Sequence, residues 1–306
     1  KIALSLIDEM RAAGIAPDVI SFNAVISACE KGREWERAVS MLDVMRSAGI
    51  APKVISFSAA ISACEKAAAW ERALSLLDEM RAPDVISFNA ASSACEKAGK
   101  WKIALSLIDE MRAAGIAPDV ISFNAVISAC EKGREWERAV SMLDVMRSAG
   151  IAPKVISFSA AISACEKAGM WDRALALLDE MRIAGVAPNV ITFSAAISAC
   201  EKRGEWEGAL SLLDEMLAVG IAPNLVSFNA AISACEKAGE WESALAMLGE
   251  MRAAGVMADV TSFNAAISAC ENCREWERLL PLLDQMLAVI VARAGAVADR
   301  TPRYTR

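Results

Sequence analysis

The chain has 306 residues, 55% of them apolar, a net charge of −7 and no histidine. The absence of imidazole excludes histidine-dependent metal sites and general-base schemes, and the acidic balance weighs against nucleic acid, whose partners usually carry a basic footprint. The apolar residues fall in short helical patterns with no run near the roughly 20 needed to span a bilayer, so no membrane insertion is expected.

In chain order, residues 1–18 match the middle and end of a helix that later segments show in full. They read as the second half of a truncated repeat, with no secretory or transit peptide at Lys1 and more chain expected upstream. Residues 19–53 form the first complete unit. Phe22, Val25, Ile26 and Cys29 follow i, i+3, i+4, i+7 spacing and predict an amphipathic helix from Ile20 to about Lys31. Gly32 can end it with a left-handed cap. Trp35, Ala38, Val39, Leu42 and Met45 predict a second helix to Arg46, and Gly49 and Pro52 punctuate the turn into the next unit.

Units 54–84, 85–119, 120–154, 155–189, 190–224, 225–259 and 260–294 repeat this pattern almost letter for letter. Cys-Glu marks the register at Cys29, Cys64, Cys95, Cys130, Cys165, Cys200, Cys235 and Cys270, in steps of 35 residues with a single step of 31. So regular a period predicts an all-α solenoid whose units bury their apolar faces against one another. Each Phe and each Trp holds one equivalent place in its unit, and both sets read as packing between helices. The cysteines, with only Cys270 and Cys273 close in sequence, read as small, buried, reduced core residues.

Two irregularities stand out. Residues 1–67 are identical to residues 102–168, which implies duplication of a multi-repeat block. Unit 54–84 reads MRAPDV where its siblings read MRAAGIAPDV, so the four-residue loss is expected in the turn between units. Residues 295–306 read as a basic tail carrying Arg300, Arg303 and Arg306.

A 35-residue helix–turn–helix with the stretches GIAPDVISFNAVISACEKG and ALSLLDEMRAAGIAPD closely resembles the pentatricopeptide repeat family, in its P-type branch. Tetratricopeptide repeats have a 34-residue period and a different start signature. The resemblance covers eight units and the opening half. It implies a right-handed α-solenoid superhelix that binds single-stranded RNA, one base per unit, without a cofactor. It also implies an adaptor role in organelle RNA processing, stability or translation, in mitochondrion or plastid, with other RNA-processing proteins as further partners.

By the same resemblance, the fifth residue of each unit reads the base edge: Asn23, Ser58, Asn89, Asn124, Ser159, Ser194, Asn229 and Asn264. The last residue refines the choice: Lys53, Asp84, Asp119, Lys154, Asn189, Asn224, Asp259 and Ala294. The second residue wedges between bases: Ile20, Ile55, Ile86, Ile121, Ile156, Ile191, Val226 and Thr261. A lysine at the end of the first helix tracks the phosphates: Lys31, Lys66, Lys97, Lys132, Lys167, Lys202 and Lys237. Two plain alternatives stand beside these roles. The Asn and Ser residues can simply cap or solvate the helix start, and the lysines can be solvated helix ends favoured by the macrodipole.

Some relatives carry a deaminase or nuclease domain. A zinc deaminase needs H-x-E with P-C-x-x-C, which a chain without histidine lacks, and no glycine-rich phosphate loop is present, so no catalysis is expected. The rival to RNA binding is a protein-interaction solenoid holding a peptide or helix in its groove, which the acidic charge favours.

Overall fold

The computed structural model describes residues 2–278, 280–284 and 286–287, with side chains from residue 7 onward. No strand occurs among them, and no helix among them is long and apolar enough to cross a membrane. The helices are α1 (Ile2–Ala12), α2 (Val19–Lys31), α3 (Trp35–Ser47), α4 (Val54–Lys66), α5 (Trp70–Glu79), α6 (Val85–Lys97), α7 (Trp101–Ala113) and α8 (Val120–Gly133). They continue as α9 (Trp136–Ser148), α10 (Val155–Ala168), α11 (Trp171–Ile183), α12 (Val190–Arg203), α13 (Trp206–Ala218), α14 (Leu225–Ala238), α15 (Trp241–Ala253) and α16 (Val260–Asn272). A 3₁₀ turn, Trp276–Arg278, follows. Ala294 and residues 295–306 lie outside the described residues.

The helices group into two compact units that divide between Ala164 and Cys165, within α10. In the first, the even-numbered helices α2, α4, α6 and α8 pack directly on one another in sequence. In the second, α12, α14 and α16 do the same. Helices α3, α5, α7, α13 and α15 each pack on their own partner and on the next even-numbered helix. Consecutive odd-numbered helices meet through long side chains, as where Arg46 on α3 reaches Glu79 on α5 at 2.6 Å. The first helices therefore form the close-packed row within each unit and the second helices the looser one.

Each unit's core follows from its periodicity. Phe22, Phe123, Phe158, Phe193 and Phe228 are fully buried, as are the alanines and cysteines that let neighbouring first helices approach. The tryptophans pack at the edge of the stack and not at its centre. Seven begin second helices and are half-buried, while Trp276 begins the 3₁₀ turn and is exposed. Position explains this: the first residue of a helix lies at the edge of the stack, where the ring caps the adjacent turn. Lys100 sits 4.9 Å from the Trp70 ring centroid, and a Cβ on Gly133 would come within 2.4 Å of Trp101 Cδ1.

The turn inside the unit also corrects the sequence reading. Gly32 is right-handed, with φ −79°, and the left-handed residue is the next one, Arg33, at φ 56°. The same place holds Ala68, Arg134 and Arg274 in three units, and glycine in the other four. The cap is fixed by hydrogen bonds from this place and its successor, such as Glu34 N–H to Cys29 O at 2.9 Å. Backbone geometry sets the position, whichever residue happens to fill it.

The deletion in unit 54–84 is absorbed mainly by the helix. Helix α5 has 10 residues where α3 has 13, while the connector 80–84 remains close in length to its sibling 48–53. The connector must still deliver Asp84 to the start of α6, so the last helical turn unwinds to supply the chain.

Candidate functional site

The start of each first helix is built around the last residue of the preceding unit. Asp18, Asp84, Asn189, Asn224 and Asp259 are the N-caps of α2, α6, α12, α14 and α16, and each accepts a hydrogen bond from the backbone three residues on. Asp119 caps α8, accepting from the N–H groups of Ile121 and Ser122, both at 2.9 Å. Capping therefore falls to the last-place residues and not to the fifth-place Asn and Ser. Lys53 and Lys154 occupy the same place without an acceptor. Their N–H groups instead donate to Ser56 and Ser157 hydroxyls at 3.2 and 3.1 Å.

The fifth-place residues meet the cap at the end of their own repeat and the serine that begins the next. Asn89 Nδ2 donates to Asp119 Oδ1 at 3.1 Å, while its Oδ1 accepts from Ser122 Oγ at 2.6 Å. Asn229 repeats the geometry with Asp259 at 3.2 Å and Ser262 at 2.5 Å. Asn23 and Asn124 accept from Ser56 and Ser157, each at 2.6 Å. Where the fifth place is serine, the bond runs hydroxyl to hydroxyl: Ser58 with Ser87 at 3.0 Å and Ser194 with Ser227 at 2.9 Å. Ser159 is buried, and Asn264 on α16 is exposed. The fifth and last places are thus hydrogen-bonded neighbours in two repeats, although 30 residues separate them in sequence.

Sequence reasoning missed the hub of this network, the fully buried hydroxyl at Ser56, Ser87, Ser122, Ser157, Thr192, Ser227 and Ser262. A signal was available: Ser or Thr stands three residues after every cap, the spacing of a capping box. The network also sets the electrostatics. Burial acts to raise the Asp119 carboxyl, but bonds from Ser122, Asn89 and Ile121 outweigh it and hold its pKa below the ordinary value. Asp259 behaves alike through Ser262, Asn229 and Thr261.

The second-place residues form an exposed apolar row. Ile20, Ile55, Ile86, Ile121, Ile156, Ile191 and Val226 are each 57% to 75% exposed, one helical position past the cap's first neighbour. Thr261 is exposed at the same place.

The lysine row is not a bare basic stripe. Lys66 bonds Glu30, Lys97 bonds Glu65 and Lys132 bonds Glu96, each at 2.8 Å. Lys202 bonds Glu166 at 2.7 Å and Lys237 bonds Glu201 at 2.5 Å. Each lysine reaches the glutamate of the preceding repeat, forming a ladder that neutralises charge in pairs. Exposed pairs of this kind contribute about 0–1 kcal/mol each.

The eight register cysteines are buried thiols, and Cys273 is half-buried, its Sγ 3.1 Å from Gly239 O. Burial pushes Cys64, Cys95, Cys130, Cys200 and Cys235 up to about 11 and Cys165 to about 12. No cluster of three or more metal-ligating side chains occurs among the described residues.

Comparison with known proteins adds the family. A pentatricopeptide repeat domain model matches residues 5–67, 141–203 and 176–238. A PPR repeat family model matches residues 83–132 and 223–272, and a PPR repeat model matches residues 55–82 and 121–151. No curated protein matches. Among solved structures, the pentatricopeptide repeat protein PPR10 from maize is 26% identical with a TM-score of 0.57, over 99% of this chain and 47% of that one. The chain thus spans less than half of the maize protein's length. PPR10 in complex with an 18-nt psaJ RNA element is 18% identical at TM-score 0.48, over 93% of this chain and 52% of that one. Nuclear proteinaceous RNase P 2 from A. thaliana is 18% identical with a TM-score of 0.53, over 59% of this chain and 41% of that one, and shares the fold. With family models matching repeat after repeat through most of its length, the chain belongs to the pentatricopeptide repeat family.

Proposed function

We propose that the chain is a sequence-selective adaptor for single-stranded RNA, reading one base per repeat and acting on an organelle transcript in its processing, stability or translation. The observation that carries this is the pairing of fifth-place and last-place side chains in Asn89–Asp119 and Asn229–Asp259, beside the exposed Ile row. The bonds Asp119 accepts all fall on Oδ1, which leaves Oδ2 as a pure acceptor. A carboxylate oxygen suits the ring N–H of uracil or guanine and repels the ring acceptor of cytosine or adenine. Asn at the last place can donate instead, which suits cytosine or adenine. The isoleucines supply the apolar wedges between stacked bases.

With fifth-place Asn favouring pyrimidines and Ser purines, as the family resemblance implies, the repeats read 5′-Y-G-U-Y-A-A-U-Y-3′ from the N-terminal side. Lys53, Lys154 and Ala294 refine nothing, so their repeats accept either pyrimidine, and Ser58–Asp84 prefers guanine weakly. Selection from a random RNA pool tests the mechanism. The wild type should enrich the motif. Asp119→Asn should change U to C at the third position while keeping a competent helix cap, and Ser194→Asn should change A to a pyrimidine at the sixth. Enrichment untouched by either substitution would refute base reading.

The Lys–Glu ladder favours a second reading, a groove for a peptide or helix. Salt dependence separates the two. Seven unpaired lysines on phosphates would give a slope of log K against log[salt] near −5 for a single strand. With the ladder in place, a negative but shallower slope is expected for RNA, and a slope of zero would favour the peptide.

A further inference from the structure

The shortened unit opens a cleft of about 730 Å³ that no role assigned above uses. One wall is the connector Ala51–Lys53 with Val54, Ile55 and Phe57 at the start of α4. The other is the truncated connector Met80–Ala82. In full-length units this connector carries a Gly-Ile or Gly-Val turn whose half-buried apolar residue folds back on the helix end, as where Ile50 N–H meets Met45 O at 2.9 Å. Unit 54–84 has no such residue. Met80 N–H bonds Leu77 O at 3.1 Å, and the chain runs directly to Pro83.

The lining has two chemistries. Pro52, Val54, Ile55 and the edge of Phe57 are apolar. The rim is cationic: Lys53 and Arg81 are exposed, and neither makes an ion pair among the described residues, while Glu79 is already held by Arg46 at 2.6 Å. An apolar floor with unpaired cations at its lip, in a volume typical of small-ligand pockets of about 300–1,000 Å³, suits a nucleobase with its phosphate. The position matters as much. Lys53 and Ile55 also belong to the last-place and wedge rows, so the cleft adjoins the strand path between the first two complete repeats.

We propose that this cleft receives one extra, unread nucleotide of the bound strand, swung out between the bases read by units 19–53 and 54–84. The proposal rests on the RNA-reading function above. A shortened unit then acts as a spacer: the protein tolerates a one-nucleotide insertion at this junction and at no full-length one.

The test uses the full chain and the enriched eight-nucleotide strand, 5′-UGUUAAUU-3′ on the rules above. One nine-nucleotide strand inserts an adenosine after the first position, 5′-UAGUUAAUU-3′, a purine that the pyrimidine-accepting first repeat does not read. Another inserts it before the last, 5′-UGUUAAUAU-3′, so each insertion leaves a single base outboard. A protein variant with Ala-Gly-Ile-Ala restored between Ala82 and Pro83 fills the cleft. The first insertion should weaken wild-type binding by less than about threefold, against about tenfold for the second, the loss of one stacked base. In the restored variant both should cost about tenfold. With 8-azidoadenosine as the inserted base at the first junction, irradiation should crosslink the peptide containing Met80–Ala82 in the wild type only. If the eight-nucleotide strand does not bind, the RNA function falls and the cleft proposal with it. If it binds, but the two insertions cost the same and no crosslink reaches Met80–Ala82, the cleft proposal alone is overturned.

Discussion

Ser92 occupies a place built for isoleucine. The equivalent residues Ile26, Ile61, Ile127, Ile162, Ile197 and Ile232 are fully buried. Ser92 is also fully buried, and its Oγ has no hydrogen-bond partner. Ser92→Ile therefore removes an unsatisfied hydroxyl, worth about 1–3 kcal/mol. It also buries two to three further carbon groups at about 0.8 kcal/mol each. Some of that gain is offset by repacking of neighbours already settled around the smaller side chain, where overpacking costs about 1–3 kcal/mol. The expected net is a stabilisation of about 2 kcal/mol, concentrated at α6 because a repeat feels chiefly its nearest neighbours. Native-state hydrogen exchange reads this locally. Amides of α6 should exchange roughly thirtyfold more slowly in the variant, while those of α14 should be unchanged. Unchanged or faster exchange at α6 would refute the reasoning and mean that α4 and α8 have closed on the site.

Arg134 is left-handed at φ 59°, so Arg134→Gly should raise the urea midpoint by about 1 kcal/mol of stability, whereas Gly133→Ala should lower it, since its Cβ would meet Trp101 at 2.4 Å. Asp119 and Asp259 have depressed carboxyl pKa values. Their contribution should be complete above the unfolded value of about 3.9 and be lost as the pH falls through the lower folded values. Acid titration of the unfolding midpoint in Asp119→Asn/Asp259→Asn should show a flatter profile, and an unaltered one would contradict the assignment. Thiol titration of the native protein at pH 8 should modify Cys273 first, because burial pushes the register cysteines Cys64 to Cys235 up to about 11–12. Nine thiols reacting at one rate would argue against the packed first-helix row.

The helices and their buried faces were legible in the sequence because they depend on local rules. A 3.6-residue periodicity places Phe22, Val25, Ile26 and Cys29 on one face. The candidate site was legible only through the family resemblance, which named positions but not contacts. Tertiary structure decided those contacts. Asn89 reaches Asp119 and Lys97 reaches Glu65 across 30 and 32 residues, distances governed by how closely the alanine- and cysteine-lined first helices stack. No single unit's pattern encodes that spacing. The same holds where the sequence reading failed. Gly32 advertised a left-handed turn that Arg33 makes, because the hydrogen bonds closing the turn fix the position. The missing four residues were expected in the connector and were taken mostly from α5, because the next helix start had to be reached. A sequence written in repeats determines what each unit is. How far apart neighbouring units sit, and so which polar atoms meet between them, is settled only when they pack.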